Sequence, residues 1–151
     1  MIYLLRHGDA EDGDGDDAAR RLTSKGRRQA ELAGRALAAT EAEIAACLTS
    51  PKLRAAETAR LACAPIGLEP EVDERLRGGP FDALEVATGR GDVLLVGHEP
   101  VFSGEIGRLT GARAKMKKGG LAIVDGSNLL ALLRPKDLAA AASAFGTEAA
   151  A

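Results

Sequence analysis

The chain has 151 residues and a mass of 15.6 kDa, so we expect a single domain over residues 1–151. Hydrophobic residues make up 46% and charged residues 28% of the sequence, which excludes a disordered or fibrous protein. Aromatic residues make up only 3%, so the core is expected to be aliphatic and a base-stacking surface for nucleic acid is absent. The net charge of −2 gives no general attraction to nucleic acid or anionic membranes, so any anion must be bound locally.

The two cysteines and the N-terminus favour a cytoplasmic protein. Cys47 and Cys63 lie in apolar stretches outside any Cys-x-x-Cys motif, which predicts free buried thiols. No apolar run is long enough to span a bilayer, and the N-terminus has the pattern of a strand rather than of a signal peptide. The oligomeric state stays open.

Apolar runs alternate with amphipathic stretches along the chain, and this pattern predicts an α/β domain with a mostly parallel sheet. The turn at residues 125–128 between two apolar runs predicts a hairpin, which makes the sheet edge antiparallel. The expected elements, in chain order, are a strand at 2–5, a helix at 22–37, a strand at 44–48, a helix from 51 through 62, a short helix at 82–88, a strand at 93–96, a helix of about ten residues after Pro100, strands at 121–124 and 129–133, and a helix from 136 that frays.

Two helix starts carry capping signals. Thr23 or Ser24 is expected to cap the first helix. Ser50 is expected to cap the second, with Pro51 at its first position. The stretch at 71–81 has no clear pattern.

The only two histidines, His7 and His98, each follow a predicted buried strand directly. Ligands of open α/β sheets bind at the carboxyl ends of the strands, where both imidazoles are expected. One such histidine can simply cap a strand or a helix. Two of them, with Arg6 beside one, favour a functional site.

Arg54 is expected in the first turn of the second helix, where the helix dipole disfavours a cation. Glu57, three residues further on, can serve as a purely structural partner. Alternatively, the free backbone N–H groups of that turn and the Arg54 guanidinium bind a phosphate-like dianion together with Arg6. Both interpretations stay open at the level of sequence.

These residues together suit phosphoryl transfer without a metal. A neutral His7 can attack phosphorus through one ring nitrogen while the other donates its proton to a fixed acceptor, most simply a backbone carbonyl. Nearby positive charge favours the neutral imidazole. Arg6, Arg54 and His98 can stabilise the charge on the equatorial oxygens of the transition state.

Four motifs in order resemble those of the histidine phosphatase (phosphoglycerate-mutase-like) superfamily over residues 2 to about 134. The motifs are Arg6-His7-Gly8, Leu22-Thr23-x-x-Gly26-x-x-Gln29-Ala30, Ser50-Pro51-x-x-Arg54-Ala55-x-x-Thr58-Ala59 and Val96-Gly97-His98-x-Pro100. The short chain and its Arg6-His7-Gly8-Asp9-Ala10 stretch are most similar to the SixA-type phosphohistidine phosphatases.

The resemblance implies a three-layer α/β/α fold and transient phosphorylation of His7. It also implies a phosphate pocket formed by Arg6, Arg54 and His98, with no metal and no organic cofactor. The substrate is then a protein that carries phosphohistidine or a small phosphomonoester, while a non-catalytic module that binds phosphorylated partners is the alternative from another class.

Larger members of this superfamily place a carboxyl group after the third strand to protonate the leaving group. Glu74 is the first candidate here, although it can equally be a solvated loop charge beside Arg75 and Arg77. Asp73, Asp9 and Asp82 are the other candidates. An imidazole leaving group departs more easily than an alkoxide, so a phosphohistidine phosphatase depends little on such an acid.

Two charged stretches need separate interpretation. Within the acidic loop from Asp9 to Asp17, the pattern Asp12-x-Asp14-x-Asp16 resembles a calcium loop. Its sixth position is Asp17 instead of Gly and its twelfth is Thr23 instead of Glu, which argues against calcium. The basic cluster from Arg113 to Lys118 is either a solvated face or a surface that steers an acidic protein towards the pocket.

Overall fold

The computed structural model describes residues 1–150, and side chains through residue 144. The strands of its six-stranded sheet are β1 (Ile2–Arg6), β2 (Ala46–Thr49), β3 (Pro70–Val72), β4 (Val93–Gly97), β5 (Leu121–Asp125) and β6 (Asn128–Leu133). The α-helices are α1 (Ser24–Ala39), α2 (Leu53–Cys63), α3 (Ala83–Ala87), α4 (Val101–Thr110) and α5 (Pro135–Ala150). In this part of the chain no helix combines the length and apolarity needed to cross a membrane.

The strand order β3-β2-β4-β1-β5-β6 brings the carboxyl ends of β1, β2 and β4 side by side. These three strands and β3 pair in parallel, whereas β5 pairs antiparallel with both β1 and β6. The prediction of a mostly parallel sheet with an antiparallel edge is confirmed. Each residue that directly follows β1 or β4 therefore lies at one edge of the sheet, as the rule for parallel sheets requires.

Helices cover both faces of the sheet, which confirms the three-layer architecture. Helices α1, α2 and α5 pack over one face through small and aliphatic side chains such as Ala33, Ala59 and Leu138. Helix α4 and the short α3 cover the other face, where Phe102 and Ile106 are fully buried. Alanine at many helix positions lets the helices approach the sheet closely, which suits a chain so poor in aromatic residues.

The structure corrects the predicted start of one helix and assigns a stretch that the sequence pattern left open. Helix α2 begins at Leu53, two residues later than predicted, and the Ser50 hydroxyl accepts the Lys52 N–H ahead of the helix instead of capping its first turn. The unassigned stretch after residue 70 contains the three-residue edge strand β3, in which Val72 is 60% exposed. So short and so exposed a strand carries no hydrophobic alternation to detect. The cap at Thr23 agrees with the prediction, because its hydroxyl accepts the Gly26 N–H.

Candidate active site

The backbone beyond β1 holds His7 in one tautomer. Its Nδ1 lies 2.8 Å from the carbonyl oxygen of Gly8, and since a carbonyl only accepts, Nδ1–H is the donor. The lone pair of the neutral ring is therefore on Nε2. The expected hydrogen bond to a backbone carbonyl is present, and it leaves Nε2 as the ring atom available for attack.

The loop that carries His7 is fixed by a close backbone contact with α1. A Cβ on Gly8 would lie 2.5 Å from the carbonyl oxygen of Gly26, so only glycine fits there. The Gly8 N–H also donates to Thr58 Oγ1 over 3.0 Å, and the Thr58 hydroxyl donates in turn to the carbonyl of Arg54. One chain of hydrogen bonds thus links the His7 loop to the first turn of α2.

His98 follows β4 and faces His7 with 5.3 Å between the ring centroids. Its Nε2 lies 2.7 Å from the Ser50 hydroxyl. That hydroxyl accepts the Lys52 N–H, so its own proton is free to be donated to Nε2 of His98. In this arrangement the His98 proton is on Nδ1, and Ser50, predicted only as a helix cap, orients the imidazole.

Three buried donors have no hydrogen-bond partner among the described residues: Nε of Arg6, Nε of Arg54 and Nδ1 of His98. All three residues line one cavity of about 340 Å³ at the carboxyl edge of the sheet. Each guanidinium group is anchored through Nη1, because Arg6 Nη1 donates to the Met116 carbonyl and Arg54 Nη1 to the Asp17 carbonyl, each over 2.9 Å. Unpaired buried donors cost free energy, and an acceptor in the cavity removes that cost.

Charged side chains from loops surround the opening of the same cavity. Arg20, Lys52 and Lys118 line it together with Glu99, and none of these was predicted as a pocket residue. Lys52 precedes α2 directly, so its place beside the first helical turn is the one signal that could have found it. Arg20 and Glu99 carry no motif of their own in a single sequence.

Asp17 is the partner that the sequence left open for Arg54. Its carboxylate lies 3.3 Å from Arg54 Nη2 and 3.2 Å from both Arg20 Nη1 and Lys52 Nζ. Hydrogen bonds from Arg20 and Lys52, and then the Arg54 charge, hold the pKa of Asp17 well below its ordinary value. The alternative pairing of Arg54 with Glu57 does not occur among the described ion pairs. One anionic group thus already holds three cations together at the opening.

Burial and positive charge keep both imidazoles neutral. Burial is the main cause that lowers the pKa of His7 to about 4, and the charges of Arg54 and Arg6 lower it further against the hydrogen bond to Gly8. The pKa of His98 falls to about 3, first through burial and then through His7 and Arg54. At neutral pH, Nε2 of His7 therefore keeps a free lone pair and lies beside cationic donors. A nucleophile that attacks an anionic phosphorus centre requires this arrangement.

Glu74 is the predicted residue that the structure does not bring to this cavity. Its side chain is 70% exposed and pairs with Arg77. The other candidates also have partners elsewhere: Asp73 pairs with Arg75, Asp82 caps α3, and Asp9 accepts the Thr23 hydroxyl proton. The carboxylate that does line the cavity, Glu99, accepts hydrogen bonds from the N–H groups of Ser103 and Met116.

Fold and site together define an α/β protein with a cationic pocket around two neutral histidines at the carboxyl edge of its sheet. Residues 2–90 match the family model of the histidine phosphatase superfamily (branch 1). The chain belongs to that superfamily, as its motifs indicated.

Other proteins are similar to the chain in sequence or in fold. An uncharacterized protein of Picosynechococcus sp. (strain ATCC 27264 / PCC 7002 / PR-6) is 37% identical over 135 residues, which cover 80% of this chain and 81% of the relative. The protein histidine phosphatase SixA in complex with tungstate has a TM-score of 0.79 at 24% identity and covers 91% of this chain and 98% of its own. A phosphoserine phosphatase from Entamoeba histolytica in complex with 3-phosphoglyceric acid has a TM-score of 0.66 at 16% identity and covers 91% and 98%.

Proposed function

We propose that this protein is a metal-independent phosphatase that hydrolyses phosphohistidine in proteins through a phosphorylated His7. The observation that carries the proposal is the set of three unpartnered buried donors around a neutral imidazole of fixed tautomer. A tetrahedral dianion satisfies these donors. The bound tungstate of the similar SixA structure is an oxyanion of this shape.

The reaction takes place in two displacements. His7 Nε2 attacks phosphorus, the bond from phosphorus to the substrate nitrogen breaks, and the leaving imidazole takes up a proton from solvent. Water then attacks phosphohistidine 7, which releases phosphate and restores the neutral ring. Arg6, Arg54 and His98 donate to the equatorial oxygens in both steps, and this is where positioned charge lowers the barrier most.

The carboxylates of the site favour a phosphoramidate substrate over a phosphomonoester. An alkoxide leaving group needs a proton from a general acid in the transition state. Glu99 is engaged by backbone donors and Asp17 by three cations, while Glu74 lies outside the cavity lining. An imidazole leaves without such help, so the absence of a free acid in the described cavity lining supports phosphohistidine as the substrate.

The proposal extends to the rest of the chain. Residues 1–151 form one histidine-phosphatase-like domain, and it acts in the cytoplasm. The free, buried thiols of Cys47 and Cys63 suit that reducing compartment.

The test compares wild type with His7→Ala on 1-phosphoimidazole and on a peptide that contains phosphohistidine. Wild type should release phosphate and, when quenched, carry one acid-labile, base-stable phosphoryl group; the variant should do neither. Arg35→Ala, on the exposed side of α1, is the matched control and should behave as wild type. Wild-type turnover by His7→Ala rejects the mechanism, and faster hydrolysis of a small phosphomonoester than of either probe rejects the substrate class.

A further inference from the structure

The surface around the candidate active site has a charge opposite to that of the rest of the protein. Three cavities of about 730, 340 and 480 Å³ are contiguous there, since the first two share Arg6 and Glu99 and the last two share Lys118. Eleven Lys and Arg residues line these cavities, with Glu99 as the single carboxylate residue among the described lining residues. The whole chain holds 20 Lys and Arg against 22 Asp and Glu, so its other surfaces are acidic.

Six exposed side chains form the outer part of this surface, here called the basic face: Lys25, Arg113, Lys115, Lys117, Lys118 and Lys136. Among the described residues, Lys118 alone of the six has a carboxylate within 4 Å, that of Asp9 at 3.5 Å. Like charges clustered without partners destabilise the folded chain, so their concentration on one side favours an anionic ligand for that side.

The segment that carries three of these cations packs against the protein beside the pocket. Arg113, Lys115 and Lys117 are exposed, whereas Ala112, Ala114 and Met116 between them are half-buried or buried. The alternation places the three cations on the solvent side of the segment.

Met116 anchors this segment to the pocket. Its carbonyl accepts from Arg6 Nη1 and its N–H donates to Glu99 Oε2. These two hydrogen bonds place the cationic segment directly beside the phosphate-binding pocket.

The extent of the basic face identifies the size of its ligand. One phosphoryl group is satisfied within the pocket by Arg6, Arg54 and His98, and a small phosphorylated metabolite reaches no further than the neighbouring groove. The unpaired cations instead lie on both sides of the opening, with Arg113 in one flanking cavity and Lys136 in the other. Only an extended anionic surface can contact both sides at once.

We propose that the basic face docks an acidic surface of the phosphorylated protein substrate and so brings its phosphohistidine to His7. This inference rests on the proposed function, of which it names the partner: a protein whose phosphorylated histidine is surrounded by Asp and Glu. Exposed charges of this kind raise the rate at which the two proteins associate and orient the substrate protein as it approaches. Salt screens such charges over about 8 Å at physiological ionic strength. The basic face thus acts on kcat/KM and leaves kcat for small substrates unchanged.

The experiment uses two phosphohistidine peptides of equal length, one flanked by Glu and one by Gln, with 1-phosphoimidazole as the small probe. Wild type should prefer the Glu peptide by about tenfold in kcat/KM at low salt, and 0.5 M NaCl should remove the preference. Arg113→Glu/Lys115→Glu should lose or reverse the preference and hydrolyse 1-phosphoimidazole with the wild-type kcat. Arg35→Glu/Arg60→Glu makes the same charge change on exposed residues away from the basic face and should keep it.

The outcomes separate this inference from the proposed function. Hydrolysis of both peptides with equal kcat/KM, or a preference that Arg113→Glu/Lys115→Glu retains, overturns the docking surface and leaves the phosphatase assignment intact. Failure of wild type to hydrolyse any of the three probes overturns the proposed function and the docking surface together.

Discussion

The candidate cavity has a buried floor and an outer rim, and both are cationic but built differently. The floor consists of Arg6, His7, Arg54 and His98, and the rim of Arg20, Lys52 and Lys118. On the floor, the Arg54 side chain is 8% exposed and belongs to the first turn of α2. On the rim, Lys118 is 45% exposed and belongs to a loop. A charge removed from water interacts far more strongly with a dianion than one that water screens. The floor should therefore determine the chemistry, and the rim should determine how fast and in which orientation substrates arrive.

Substitution of Arg54 tests the floor and has the largest expected effect. Arg54→Ala removes the buried positive charge and its unpaired Nε–H donor from the bound phosphoryl group, and we expect kcat/KM for 1-phosphoimidazole to fall about 10³-fold. Arg54→Lys restores the charge without the planar fork and should recover less than a tenth of that loss. Steady-state kinetics give both numbers, and thermal unfolding of each variant separates misfolding from lost catalysis. If Arg54→Lys were as active as wild type, positive charge alone would suffice to stabilise the phosphoryl group. The floor and the rim of the cavity would then act in the same way.

Sequence reasoning found the floor because regular elements place it. Arg6 ends β1, His7 and His98 directly follow buried strands, and Arg54 lies in the first turn of α2, so the strand and helix pattern locates all four at one edge of the sheet. The rim is placed by contacts between distant loops, which a single sequence does not encode. Asp17 approaches Arg54 across 37 positions of the chain and displaces the local alternative, Glu57.

The other differences between the sequence predictions and the structure also concern which partner a side chain contacts. Ser50 next to Pro51 has the local pattern of a helix cap, but its hydroxyl is oriented towards His98, 48 positions further along. Glu74 is a candidate by its place after the third strand, yet it lies in a short 3₁₀ turn and its carboxylate pairs with Arg77. Local pattern predicts the type and approximate extent of an element, while partners between elements depend on packing that the pattern does not contain.

The two buried histidines of the floor should also make the protein less stable in mild acid. Their pKa values in the folded protein, about 4 and about 3, lie below the ordinary value of 6.5, so between these values the unfolded chain binds more protons. The free energy of unfolding should therefore fall as the pH drops from 6.5 to 5, by on the order of 2–4 kcal/mol.

Urea unfolding at several pH values measures this loss, and His7→Asn/His98→Asn is the variant to compare. Most of the pH dependence above pH 5 should disappear in it, because Asp9 and Asp17 have pKa values lowered from 3.8 and lose their contribution in stronger acid. An equally steep decline in the double variant would assign the acid sensitivity to groups other than the two histidines.

Lys118 tests the rim and has the smallest expected effect. Its ammonium group is half-exposed and already shared with Asp9, so Lys118→Ala should lower kcat/KM for 1-phosphoimidazole only about threefold at low salt. Because water and salt screen an exposed charge, the difference from wild type should vanish near 0.5 M NaCl, whereas the loss in Arg54→Ala should persist. Kinetics of both variants over a salt series make the comparison. If the loss of kcat/KM in Lys118→Ala also persisted at high salt, the Lys118 ammonium would have to contact the phosphoryl group directly. Lys118 would then belong to the floor of the cavity.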